Sequence, residues 1–208
     1  MERLGARAIK VPFDAWWQAL VDRRHPGVEG AFIHPVSDRA VMAGNGTIGL
    51  EILDDLPDVD AVIVPYGGGG LSCGIASALK ALRPQARVYA CEVETAAPFH
   101  AALEAGGPIA IDYRPSFVDG IGGKGVLAEM WPLARRLLDG SLVVSLEAVA
   151  GAVRLLAERN HIVAEGAGAA PVAAALSGRA GRGKVVCIVS GGNIDLARLA
   201  LILQGAVP

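Results

Sequence analysis

The stretch Val62-Ile63-Val64-Pro65-Tyr66-Gly67-Gly68-Gly69-Gly70-Leu71 decides how this chain is read. A short run of β-branched residues ends in glycines and passes into a helix-like segment from Leu71 to Leu82, the pattern of a buried strand, a tight turn and a helix. Four glycines leave successive backbone N–H groups free of side chains, so they can close on an anion at the positive end of the following helix. A phosphorylated ligand is the first expectation. No Gly-Lys-Ser/Thr follows, so the loop is not of the Walker type. It also lacks the GxGxxG spacing of a dinucleotide site. Glu92 stands at the end of the next expected strand, Arg87 to Cys91, which leaves a dinucleotide as the weaker fit.

The pattern repeats on either side. Expected strands are Arg7–Val11, Ala31–His34, Ala61–Pro65, Arg87–Cys91, Leu142–Val144 and Val185–Val189. Expected helices are Phe13–Arg24, Gly46–Leu56, Leu71–Leu82, Ala96–Glu104, Val126–Leu138, Ser145–Asn160, Ala169–Leu176 and Ile194–Leu203. Such alternation predicts an α/β fold with an open, mostly parallel twisted sheet and helices on both faces. The loop-like segment from Gly106 to Gly125 is long for a compact domain, so it is expected to border a site. A second glycine turn, Ser190-Gly191-Gly192-Asn193, follows the last expected strand. In a parallel sheet both turns lie where ligands bind, outside the carboxyl ends of the strands.

Composition narrows the class. The 208 residues are 52% hydrophobic and only 5% aromatic, with 27 glycines, which describes a closely packed core of small residues. A net charge of −2 carries no footprint for nucleic acid or an anionic membrane. Small-molecule chemistry is the expectation. Cys73, Cys91 and Cys187 are odd in number and sit in apolar runs, as reduced core thiols do. No apolar run reaches the ~18 residues of a membrane span, and no signal-type stretch follows Met1. A cytoplasmic protein is expected.

An ordered series of motifs gives the chain a resemblance. FIHPVSDRAVMAGNGTIGLEIL (32–53), VIVPYGGGGLSCGIASALKALRP (62–84), VYACE (88–92), FVDGIGG (117–123), AEGAGAAPVAAAL (164–176) and VCIVSGGNID (186–195) together resemble the fold-type II pyridoxal-phosphate enzymes, in the serine/threonine dehydratase and serine racemase group. The resemblance implies pyridoxal phosphate as cofactor. It places the cofactor phosphate on the amides of Gly67, Gly68, Gly69, Gly70 and Leu71, Ser190 opposite the pyridine nitrogen, and Glu165 near the ring. A neutral hydroxyl at the ring nitrogen makes the ring a weaker electron sink than a carboxylate would. That suits β-elimination of water from serine or threonine to a 2-oxo acid and ammonia, with serine racemase as the alternative within the family.

The resemblance also marks departures. The family's Schiff-base lysine and its substrate-carboxylate loop belong to segments that precede the motifs found here, so the chain is expected to lack the family's N-terminal third. Residues 1–28 then read as a remnant of the small domain and residues 29–208 as the large cofactor domain, incomplete at its N-terminal side. Of the four lysines, Lys80 and Lys184 should lie roughly 15–20 Å from the glycine turns by helix and strand rise. Lys10 belongs to the remnant, which leaves Lys124 as a weak catalytic candidate. Glu92 matches the family's metal-site glutamate, yet Pro98 stands where a second acid is needed, so no essential metal is expected. The chain alone is expected to be inactive, and to self-associate or to need a complementing N-terminal segment, with an amino acid as substrate of the complete enzyme. A non-catalytic phosphate-binding protein and a purely structural remnant are the competing readings.

Overall fold

The computed structural model describes residues 2–208, and the chain divides into two compact units, Met1–Pro35 and Val36–Pro208. The first holds a short 3-10 turn, Glu2–Leu4, and helix α1, Phe13–Asp22. Arg23 ends α1 in the left-handed conformation (φ 54°) and returns its N–H to Ala19 and Leu20, as helix C-caps do. The strands expected at Arg7–Val11 and Ala31–His34 do not form; both segments are irregular. An apolar pattern becomes a strand only where a neighbouring backbone supplies the ladder, and no strand pairing involves the described residues of this unit. Phe13, Trp16 and Trp17 cluster on α1, with the Phe13 and Trp16 rings 5.5 Å apart and Trp16 44% exposed.

The second unit is built on four strands: β1 (Ala61–Pro65), β2 (Arg87–Val93), β3 (Gly140–Val144) and β4 (Val185–Cys187). Their order is β3-β2-β1-β4 and every pairing is parallel, as the alternating pattern predicts. All of β1 is buried, which requires cover on both faces and explains why its sequence is continuously apolar. Helix α3 (Gly70–Leu82) packs on β1 and β2 and is backed by α2 (Arg39–Asp55) and α5 (Trp131–Leu137). Helix α7 (Gly166–Leu176) touches all four strands, with α6 (Leu146–Leu155) against it and α8 (Leu196–Leu203) against α6. Helix α4 is Pro98–Ala105.

Small residues set the spacing of these layers. Ala167, Ala169, Ala170, Ala173 and Ala174 of α7 are buried in the core with Ile63, Val93 and Val149, so this helix can lie close to the sheet. The α2–α3 crossing is closer still. A Cβ on Gly49 would fall 2.9 Å from the Ile75 carbonyl, and one on Gly74 would run into the Met42 carbonyl. Helix starts follow side-chain rules: Asp38 accepts from Ala40 and Val41, Ser145 from Ala148, and Asp195 from Ala197, each satisfying an otherwise orphaned N–H.

Several boundaries move from their expected places. Helix α2 starts at Arg39 because Asp38 caps it, ahead of the expected Gly46. The segment expected to be helical from Val126 forms turns up to Met130, and α5 begins at Trp131 with Pro132 in its first turn. Helix α6 ends in a wider π-type turn, Leu156–Asn160, closed by His161 at φ 57°. No helix of the described residues is long and apolar enough to cross a membrane.

Candidate functional site

Strands β1 and β4 are parallel neighbours, with Ile63 opposite Cys187, and Ile188 N–H continues the ladder to the Ile63 carbonyl at 3.0 Å. The glycine turn after β1 and the Ser190 turn after β4 therefore leave the same edge of the sheet. Gly69 is left-handed (φ 94°) and is the N-cap of α3. From Gly67 through Ser72 the backbone N–H groups find no acceptor among the described residues, whereas Tyr66 N–H goes to Cys91 and Cys73 N–H to Gly69. A run of orphaned donors at the positive end of a thirteen-residue helix suits an anion of phosphate size.

Gly68, Gly69 and Gly70 are demanded by what lies on the Cβ side, and Gly67 is not. A Cβ on Gly67 would stand 3.5 Å from Ile121 Cα, in ordinary contact, while one on Gly68 would strike the Val36 side chain. On Gly69 it would meet the Tyr66 ring and hydroxyl at 3.0–3.2 Å, and on Gly70 the Val36 carbonyl at 2.6 Å. Protein packs the Cβ side of the loop, leaving its amides for a ligand. Val36 and Tyr66 were not singled out in the sequence. Val36 carries no local signal, because its contact spans a long separation; Tyr66 could have been noticed as a bulky polar ring directly before the glycines.

The Gly106–Gly125 segment is a wedge between the two turns. Arg114 N–H bonds the Thr95 carbonyl and Ile111 N–H the Lys124 carbonyl, while Phe117, Val118 and Ile121 are buried. Its Gly120 lies against both sites: the Gly120 carbonyl is 3.8 Å from a Cβ on Gly67, and a Cβ on Gly120 would be 3.2 Å from Glu165 Oε1. Glu165 precedes α7 as its N-cap. Its N–H bonds the Gly191 carbonyl at 3.0 Å, and its Oε1 would be 2.5 Å from a Cβ on Gly191. Burial and the nearby Asp119 raise the Glu165 pKa, opposed by a hydrogen bond from the Asn193 N–H.

Phe117, Asp119, Glu165, Asn193, Asp195 and Arg198 line a polar cavity of about 210 Å³ beside this turn. Arg198 lies 3.5 Å from Asp119 across it. Ser190 is exposed at the end of β4, and its N–H lies 3.4 Å from a Cβ on Gly168 of α7. A larger apolar groove of about 450 Å³ runs along the α2–α3 crossing and lies outside this constellation.

The other residues marked in the sequence fall as follows. Lys124 is exposed on the wedge. Lys80 donates to Asp139 at 2.7 Å and to the Ala86 carbonyl at 2.9 Å, and Lys184 pairs with Asp58. Glu92 is fully buried, and both its oxygens are engaged: Oε1 accepts from Phe99 N–H at 2.7 Å, and Oε2 from His100 N–H at 2.8 Å and from the Ser141 hydroxyl. It thus serves as a buried cap for α4. Burial raises its pKa to about 7 against these three hydrogen bonds. No cluster of three His, Cys, Asp or Glu side chains suited to a metal occurs among the described residues. Glu94 is exposed and caps α6 through Leu146 N–H. Cys73 is buried, which pushes its thiol up to about 12 and makes it an inert packing group.

Fold and site together define an α/β protein whose parallel strands carry a run of amides without acceptors at a helix start, beside a second glycine turn. Residues 1–191 match the family profile described as pyridoxal-phosphate dependent enzyme, and the chain belongs to that family, whose cofactor is pyridoxal phosphate. It is 41% identical over 195 residues to the L-threonine ammonia-lyase of Geobacter sulfurreducens, covering 92% of this chain and 48% of that protein. Among solved structures, the threonine deaminase of T.th. is 40% identical with a TM-score of 0.74, over 79% of this chain and 58% of that one. Maize serine racemase is 34% identical with a TM-score of 0.77, over 84% of this chain and 55% of that one. The chain spans about half the length of the curated relatives it matches.

Proposed function

We propose that this chain forms the cofactor-holding part of a pyridoxal-phosphate-dependent dehydratase that removes water from a hydroxyamino acid, threonine or serine, to give a 2-oxo acid and ammonia. One observation carries the reading: the amides from Gly67 through Ser72 stand without acceptors at the positive end of α3, on the same sheet edge as the Ser190 turn. The residues present fit the cofactor, since backbone donors and a helix N-terminus hold a dianion without a lysine. The relatives named as threonine ammonia-lyases support the substrate class.

When bound, the cofactor supplies an electron-withdrawing ring that acidifies the α-proton of an attached amino acid. The chain's own part is to hold and tune that ring. The amides of Gly67 to Leu71 grip the phosphate, and Val36 and Tyr66 keep the loop in shape from the opposite side. Ser190 would offer a neutral hydroxyl to the pyridine nitrogen, a partner that would leave the ring a weaker electron sink than a carboxylate would. Glu165, held between Gly120 and Gly191, orients the Ser190 turn against the wedge. β4 is a short edge strand paired with β1, and self-association through uncovered edge or apolar surface accompanies this reading.

Titration of the chain with pyridoxal phosphate, followed by borohydride reduction and peptide mapping, tests the proposal. Saturable binding is expected, and the mapping shows whether Lys124 or another lysine becomes attached. Absence of saturable binding would sink the reading. Sedimentation as a monodisperse monomer would remove its assembly clause.

A further inference from the structure

Helix α2 lays Arg39, Met42, Gly46 and Leu50 along one face, since residues three and four apart share a side of a helix. With Gly74 and Ala78 of α3 and Leu133 of α5, that face lines the groove of about 450 Å³. Its floor is backbone: a Cβ on Gly46 would come to 3.2 Å from the Gly74 carbonyl oxygen, so two residues without side chains keep the space open. The walls are apolar, and Leu50 is 45% exposed. Thr47 and Ser77 also reach the groove, but their hydroxyls donate to the Gly44 and Cys73 carbonyls of their own helices.

One charged group remains in this lining. Arg39 opens α2 at the end of the stripe away from Leu50, roughly 16 Å from it along the axis at ~1.5 Å per residue. Its guanidinium has neither a hydrogen bond nor an ion pair among the described residues. The neighbouring Asp38 carboxylate is turned onto the N–H groups of Ala40 and Val41 instead. A concave apolar surface with a single orienting polar group is the usual form of a small-molecule site, and the guanidinium fork matches a carboxylate.

We infer that the α2–α3 groove is a second binding site, for a monocarboxylate with an aliphatic tail: the carboxylate meets Arg39 and the tail lies along Met42, Gly46 and Leu50. The inference does not depend on the cofactor reading, because no residue of the groove belongs to the glycine loop or the Ser190 turn. A second copy of the chain is the poorer occupant. A two-fold contact on this face would carry Arg39 of each copy into an apolar interface, and the lining holds no acid to meet it, which is costly for a desolvated charge.

The test titrates the full chain calorimetrically with octanoate and, separately, with octan-1-ol, and repeats both with Arg39→Gln and Ala43→Leu. Ala43 is an exposed lining position of α2, where leucine fills the groove; Thr47→Leu, at another exposed lining position, is the second filling variant. Octanoate should bind saturably and about threefold to tenfold more tightly than octan-1-ol, and Arg39→Gln should abolish that difference. The filling variants should weaken both ligands by about tenfold or more and leave pyridoxal phosphate binding unchanged. No saturable octanoate binding, or binding that none of the substitutions alters, would overturn the inference. So would a dimer in sedimentation that Ala43→Leu dissociates while octanoate fails to bind, which would make the groove a contact between copies. Octanoate binding as expected beside no binding of pyridoxal phosphate would uphold this site and sink the cofactor reading alone.

Discussion

A Cβ on Gly68 would fall 2.7 Å from Cγ1 of Val36 and closer still to Cγ2, so the glycine loop is shaped by a side chain far away in sequence. Gly68→Ala should destabilise the unit by about 1–3 kcal/mol through overpacking and weaken phosphate binding. Val36→Ala removes both methyl groups that collide, and the double variant should recover most of the lost stability. Urea denaturation of the four proteins forms a cycle that reads this coupling; additive losses would contradict direct contact.

Two glycines of the crossing helices should respond with opposite sign. Gly74→Ala drives a Cβ into the Met42 carbonyl and to 3.0 Å from Asn45 Cβ, so α2 and α3 must part, at a cost of about 1–3 kcal/mol. Gly44 is exposed on α2 with nothing within 4 Å of its Cβ position. Gly44→Ala should stabilise by up to about 1 kcal/mol through helix propensity. Urea midpoints measure both.

Glu92 makes stability depend on pH. Burial raises its folded pKa from 4.5 to about 7, so the folded state binds the proton more tightly than the unfolded chain. Its contribution is full below about 4.5 and is lost as pH rises through about 7. Glu92→Gln keeps an acceptor for the N–H of Phe99 or His100 and abolishes this slope. Unfolding free energies measured from about pH 4 to about pH 8 in both proteins should diverge in that window; parallel curves would show that Glu92 does not titrate there.

Ser190→Ala separates the two ends of the proposed site. Loss of one neutral hydrogen bond at the ring nitrogen should weaken pyridoxal phosphate by about two- to tenfold. Inorganic phosphate, which reaches only the amides, should bind unchanged. A parallel loss for both ligands would place Ser190 in the folding of the turn instead.

Much of the second unit was legible in the chain itself. The apolar run of β1 and the glycines after it predict a buried parallel strand and a helix start. The core strands and α3 lie where their periodicity places them, because covered parallel strands are apolar throughout. Elsewhere local pattern was a poorer guide. Arg7–Val11 and Ala31–His34 look like strands but are irregular, since a strand exists only with a partner.

The glycine loop and the Ser190 turn are legible as glycine turns at the ends of apolar strands, whereas Glu165 is marked only by the family resemblance and by no local pattern. Tertiary structure alone decided that Val36 and Tyr66 fill the far side of that loop, that Gly120 bridges it to Glu165, and that Glu92 caps α4. Each of these is a contact between segments distant along the chain, and such contacts arise from packing in three dimensions, which no local pattern encodes.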